Sequence, residues 1–286
     1  MHPSPLLTPV PSNDSEAEGP LGKETLKALD ARVSQIWDQL ADYPVADTQQ
    51  ALFFLMRQIK DLVAADDAVW IAVVRVVHGE AGLRDHQLGW RGRAVEHLEW
   101  TRLKQEVVGA AMKAQEMDGG VPSSIEMAKL AGHFRTLTLR ELHDMKSFAQ
   151  TEHYRTCIVP FGITDRMWCV FPINEDCEVA FILDRMGNQA GFSAHEKYLV
   201  SSVLRPLKWF HRSCVMAQGV ILGGSRLTPR EKSLCTLLLG TQSEKEIATS
   251  LGLKLSTTRG YIQALYRKFG VKGRTGLMGL WLGGIG

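Results

Sequence analysis

The last fifth of the chain is punctuated so closely that only short helices fit between its signals. Thr228 and Glu231 form a Thr-x-x-Glu capping box, with Pro229 at the first helical position, where its missing N–H costs nothing. The helix they open buries Leu234, Leu237 and Leu238 and stops at Gly240. A second box, Ser243 with Glu246, opens a helix that buries Ile247, Ala248 and Leu251 and breaks at Gly252. A third helix spans about 255–269, with Thr258, Ile262, Leu265 and Phe269 on one face and Gly270 at its end. Thr275 starts a short fourth helix. Two short capped helices joined by a tight turn describe a helix-turn-helix, and the third helix is the one that suits a DNA major groove. Its outward face offers Ser256, Thr257, Arg259, Gly260, Tyr261, Gln263, Arg267 and Lys268. The polar members of this set are of the types that bond phosphates and base edges.

Charge agrees with the pattern. Residues 227–286 hold nine Lys/Arg, three Glu and no Asp, a net +6, whereas the whole chain is +2. The preceding 226 residues are therefore −4. A basic end on a mildly acidic body is the asymmetry of a DNA-binding module.

The segment resembles the LuxR-type helix-turn-helix (the FixJ/NarL group of bacterial regulators). The resemblance lies in LTPRE at 227–231, SEKEIA at 243–248, LGL at 251–253 and TTRGYIQALYRKFGV at 257–271, with Arg274-Thr275 opening the fourth helix. It implies base reading by Arg259, Gly260 and Gln263 and phosphate contacts by Lys245, Lys254, Thr257, Tyr261 and Lys268. Ser256 and Arg267 join the phosphate set from their place on the outward face. The resemblance also implies a dimerisation role for Leu277, Met278 and Trp281. Three departures stand out, one of them Thr258 where the family usually has Val. Lys254 occupies the usual Ser position at the start of the recognition helix, which moves the expected cap to Ser256. Gly260 lies inside a helix, at a cost of about 1 kcal/mol relative to Ala.

The rest of the chain fits a protein of about two domains. Five of its eleven prolines fall in residues 1–20, among Ser, Asn and Glu, so 1–22 is expected to be a disordered tail. No Lys or Arg precedes Lys23 and no apolar run of membrane length occurs, which argues against a signal peptide and a membrane span and for the cytoplasm. Cys157, Cys169, Cys177, Cys214 and Cys235 are odd in number and lack Cys-x-x-Cys spacing, so no disulfide framework is expected. The nine histidines show no ligand spacing, and no metal is expected.

Leu26, Leu29, Val33, Ile36 and Leu40 form an a/d stripe, expected on an amphipathic helix. After Pro44 a second helix carries Leu52, Leu55, Met56, Ile59 and Val63. Residues 68–77 are rich in β-branched side chains and predict a buried strand, with a second strand at 88–90. A charged helix is expected from 94 to about 117, then one boxed by Ser123 and Glu126, then one boxed by Thr138 and Glu141 that runs to about 150. Strand-like runs at 155–159, 166–173 and 178–183 predict antiparallel hairpins. Ser193 and Glu196 box a long helix to about 217 with a kink at Pro206.

This order predicts an α+β architecture, a GAF-like (or PAS-like) antiparallel-sheet sensor domain followed by an all-α four-helix LuxR-type domain. The GAF-like resemblance is one of element order alone. The expected segments are the tail at 1–22, N-terminal helices plus the sensor domain at 23–218, a Gly-rich hinge at 219–225 and the DNA-binding domain at 226–286. Trp70, Trp90 and Trp168 are the candidate lining of a ligand pocket. Cys157, Cys169 and Cys177 are expected to be inert core residues. A phosphorylated receiver domain is excluded, because Asp66 and Asp67 precede the first strand instead of following it.

The expected protein is a sequence-specific DNA-binding transcription regulator. Its partners are double-stranded DNA, a second copy of itself, RNA polymerase and a small-molecule ligand. It is not expected to be an enzyme or to need a cofactor, since no phosphate-binding Gly-rich loop or nucleophile elbow is present. Two alternatives stand beside it. One is an acyl-homoserine-lactone-responsive regulator, although the aromatic-and-Asp pocket pattern of such receptors is not placed in this sequence. The other is a constitutive DNA-binding protein whose central domain only dimerises.

Overall fold

A computed structural model describes residues 20–75, 86–116, 121–219 and 227–281. The tail expected at 1–22 lies outside them as far as residue 19, and the hinge lies outside them from residue 220. The described residues of the first unit, which runs up to Ala41, form a helix, α1 (Pro20–Ala41).

The second unit starts at Asp42. Helix α2 (Thr48–Leu62) buries Leu52, Leu55, Met56 and Ile59, the i, i+3, i+4, i+7 face its sequence predicts. Strands β1 (Asp67–Arg75) and β2 (Trp90–His97) follow, then α3 (Arg102–Glu116), α4 (Pro122–Lys129) and β3 (Arg135–Thr138). Three short helices, α5 (Leu139–Leu142), α6 (Met145–Phe148) and α7 (Glu152–Cys157), lead to the hairpin of β4 (Ile163–Asn174) and β5 (Cys177–Met186). Helices α8 (Ala194–Leu204) and α9 (Lys208–Ala217) close the layer, separated by a 3-10 turn at Pro206 where proline removes a helical donor.

The five strands form an antiparallel sheet in the order β2-β1-β5-β4-β3. Alternation gives the sheet two faces. Trp70, Phe171, Phe181 and Leu183 turn to the face covered by α2, α8 and α9 and are buried there. Val69, Ile71, Trp168, Val170 and Ile182 turn to the other face, towards α3, α4 and α7. Between Ala72 and Val73 the pairing with β2 shifts, making Arg93 the extra residue of a bulge.

Four expected elements differ. Residues 94–97 continue β2 instead of starting a helix, because Val69↔His97 and Ile71↔Val95 pairing places their side chains on the sheet face. Residues 155–159 are not a strand. Thr151 caps α7 by accepting from the Tyr154 N–H, and the chain turns through a 3-10 segment at Val159–Phe161. Ser123 does not cap: Pro122 opens α4, and the buried Ser123 hydroxyl bonds the His143 ring at 2.9 Å. The helix expected from Thr138 to 150 is α5 and α6, broken at His143, and β3 is a strand the sequence reading left out.

The C-terminal module has α10 (Pro229–Leu239), α11 (Glu244–Ser250), α12 (Leu255–Lys268) and α13 (Arg274–Trp281). Both expected capping boxes form. Leu234, Leu238, Ile247, Ile262, Leu265, Phe269 and Leu277 pack into its core. The Arg274 guanidinium ties α13 to the α10–α11 turn, donating to the carbonyls of Leu238 at 2.7 Å, Gln242 at 2.6 Å and Gly240.

Candidate functional site

Two places on this framework offer chemistry. The first is α12. Its inner face holds Thr258, Ile262 and Leu265 against the core, which fixes which residues point out. Ser256, Thr257, Arg259, Gly260, Tyr261, Gln263 and Arg267 are exposed on it, and Lys245 on α11 and Lys254 before α12 are exposed beside it. Arg259 donates to the Glu244 carboxylate at 2.9 Å. Lys268 is half-buried and pairs with Glu231 at 3.2 Å. The Arg230 guanidinium lies 5.9 Å from the Tyr261 ring centre.

The cap expected at Ser256 is not made. Ser256 lies inside the first turn, and Lys254 occupies the N-cap without a capping side chain. A Cβ added to Gly260 would meet nothing within 4 Å, so packing within the module does not require this glycine. Of the three residues expected to pair modules, Leu277 is fully buried in the module's own core and is unavailable to a partner. Met278 is exposed. Trp281 ends α13, and its side chain lies outside those described.

The second place is a cavity of about 220 Å³ between the sheet and the layer of α3, α4 and α7. Its wall is mostly apolar, from Val69, Ile71, Val107, Met127, Val170 and Ile182 among others. Trp90 and Trp168 line it. Trp70 does not. It projects to the opposite face, where its indole N–H donates to His211 Nδ1 at 3.1 Å.

Among the described residues six charged side chains reach the wall, and they are matched in three pairs. Lys104 holds Asp67 at 2.7 Å, Arg135 grips Glu178 with contacts of 2.8 and 3.1 Å, and Arg166 grips Asp184 at 2.6 and 2.7 Å. Burial alone would raise the Asp67 carboxyl, but the His97 ring 3.7 Å away and the hydrogen bond from Lys104 outweigh it and hold the group below its ordinary range. Paired charges in a low-dielectric wall cancel locally, so this wall disfavours a ligand with a net charge.

His153 and Cys157, one turn apart on α7, also line the cavity. Cys157 was expected in the core and is instead half-buried at this wall. Cys169 and Cys177 are buried on strands, and burial pushes both thiols up to about 12, the inert state expected of them. Among the described residues no group of three or more His, Cys, Asp or Glu is placed to hold a metal ion.

The α+β domain and the helical module meet through Met216 and Ala217 of α9, which pack against the module's core, and through polar contacts. Gln218, at the end of α9, donates to Glu96 at 2.9 Å and accepts from Lys232 on α10. Glu96 sits on β2 between Val95 and His97, which face the cavity from the other side of the strand. Burial raises the Glu96 carboxyl above its ordinary range, against the nearby Lys232 charge. Among the described residues no helix is long and apolar enough to cross a membrane.

Residues 225–280 match a family described as bacterial regulatory proteins, luxR family. No curated protein matches the chain. Among solved structures, SdiA in complex with octanoyl-rac-glycerol is similar at a TM-score of 0.44 and 11% identity, over 95% of this chain and 98% of that one. The VqsR LBD domain from Pseudomonas aeruginosa gives a TM-score of 0.40 at 13% identity, over 69% and 98%. Escherichia coli SdiA gives 0.39 at 13% identity, over 88% and 97%.

Proposed function

We propose that this chain, a DNA-binding regulator with a LuxR-family helix-turn-helix domain at residues 225–280, senses a small molecule in its α+β domain and adjusts its DNA binding in response. The observation that carries the sensing role is the cavity, a largely apolar space with its charges paired, on a domain joined to the DNA-binding module. Strand β2 supplies a route for coupling. It shows Val95 and His97 to the cavity and Glu96 to the Gln218–Lys232 contact on α10, so a ligand that shifts β2 also shifts the seat of the module.

On DNA, Arg259 and Gln263 read base edges while Lys245, Lys254, Ser256, Thr257, Tyr261, Arg267 and Lys268 hold phosphates. Arg259 must leave Glu244 to do so, which favours sites whose bases replace that exposed ion pair. One such module buries too little surface for a tight site, so a dimer on a two-fold related sequence is part of the proposal. Met278, exposed on α13, is the member of the expected pairing set that remains open to a partner. The setting is the cytoplasm, with RNA polymerase as a further partner and no catalytic step. Acyl-homoserine lactones enter as one ligand class because an apolar chain with an uncharged head suits an apolar wall whose charges are matched.

The test is to melt the full chain against a panel of uncharged amphiphiles, acyl-homoserine lactones of graded chain length included. Each hit is then added to a DNA-binding titration at fixed salt. The sensing role predicts a ligand that raises Tm and changes DNA affinity together. Ligands that raise Tm and leave DNA affinity unchanged would contradict it and favour a domain that only dimerises.

A further inference from the structure

His153 has both ring nitrogens buried at the cavity wall with no hydrogen-bond partner among the described residues. Such an arrangement is unfavourable, because a buried polar group without a partner forfeits the bonds it made to water. His97, on β2 at the same wall, also has both ring nitrogens buried without a hydrogen-bond partner, but its Nδ1 lies 3.7 Å from the Asp67 carboxylate, whereas the polar groups beside His153 are engaged elsewhere. Arg166, whose charge acts on the ring, is taken by Asp184, and His143 is taken by Ser123. The ring is held in place from one side by Phe148, whose centre lies 5.9 Å away. Cys157 one turn on and Phe161 beyond it complete this end of the cavity.

We infer that His153 is the residue that orients the ligand, by hydrogen-bonding an uncharged polar head that both accepts and donates. The assignment rests on the sensing role proposed above. Burial, with the Arg166 and His143 charges nearby, lowers the ring to about 4, so it is neutral at neutral pH. A neutral imidazole has one N–H to donate and one lone pair to accept. An amide or hydroxyl head satisfies both, an ester satisfies the donor alone, and a carboxylate brings a charge into a wall whose own charges are already matched.

The test uses N-phenyl-1-naphthylamine as a fluorescent occupant of the full chain, displaced by octanamide, methyl octanoate or octanoate, which share one apolar chain length. The variants are His153→Leu, which keeps the bulk, and His153→Gln, which keeps a donor and an acceptor. Wild type should release the probe to octanamide first and to octanoate last. His153→Leu should weaken octanamide by about fivefold to tenfold, the range of one buried hydrogen bond. It should weaken methyl octanoate less, while His153→Gln stays close to wild type. Equal displacement by octanamide and methyl octanoate in both wild type and His153→Leu would overturn the assignment and leave the sensing role standing. If His153→Leu does not fold, a His153→Gln variant that loses the octanamide preference would overturn it equally. A folded wild type that takes up no probe at all would instead overturn the sensing role, and this assignment with it.

Discussion

The indole N–H of Trp70 donates to Nδ1 of His211 at 3.1 Å, across 141 residues of chain and inside the core between the sheet and α9. An accepting Nδ1 places the ring proton on Nε2, which makes His211 a neutral core histidine. Burial lowers it to about 3. The folded value lies below the unfolded one of about 6.5, so the unfolded chain takes up the proton first. Stability is therefore complete above pH 6.5 and falls below it, by up to ~1.4 kcal/mol per pH unit from this residue. His153, lowered to about 4, acts in the same direction. Urea midpoints between pH 7.5 and 5.5 should fall in wild type and fall less steeply in His211→Gln. Replacing Trp70 by Phe strands the acceptor and should cost about 1–3 kcal/mol at pH 7.5.

The Arg135–Glu178 pair makes a second prediction. Glu178 is buried, Arg135 is only slightly exposed, and Glu178 also accepts from the Gly132 N–H at 2.7 Å. Removing the arginine alone leaves a buried carboxylate without its counter-charge, so Arg135→Met should cost about 3–5 kcal/mol. The double variant Arg135→Met/Glu178→Leu should recover most of that loss. Chemical denaturation of the two variants checks it, and equal destabilisation by both would count against the pair as the cause.

Gly260 separates stability from DNA binding. Apart from its chain neighbours and the helix's own backbone, nothing lies within 4 Å of where its Cβ would be, and the residue is exposed in the middle of α12. Gly260→Ala should therefore raise stability by about 0.5–1 kcal/mol, by helix propensity. If the backbone there approaches a groove, the same methyl should weaken DNA binding. A variant that is more stable and binds DNA as well as wild type would remove Gly260 from the base-reading set.

Arg274 holds three carbonyls with one guanidinium. Arg274→Ala should destabilise the module by about 2–3 kcal/mol. Arg274→Lys should rescue little, since a point charge cannot span three acceptors held in a fixed fork. Thermal melts of the full chain, followed by circular dichroism, report both.

The C-terminal module was legible because its signals are local. Thr228 with Glu231 and Ser243 with Glu246 satisfy helix ends within four residues, and each box forms as written. The Ser193 box and the break at Pro206 were legible for the same reason. The central domain was harder where tertiary pairing overrode local preference. Glu96 and His97 carry no strand signal, yet β1 pairs them. Residues 155–159 carry β-branched side chains, yet the Thr151 cap and the Pro160 turn decide their shape. The cavity had no linear signature, since its wall is drawn from all five strands and from three helices. Trp90 and Trp168 belonged to it and Trp70 did not, a distinction set by strand parity that composition does not carry. His153 was one of nine scattered histidines until the fold enclosed its ring.

The most direct measurement is selection of bound duplexes from sheared genomic DNA at moderate salt, run side by side on wild type and an Arg259→Ala/Gln263→Ala variant. Wild type should enrich one sequence with two-fold related halves. The variant should keep only salt-dependent, sequence-independent binding through the lysines. Equal enrichment of the same sequence by both proteins would contradict the assignment of α12 as the base-reading element.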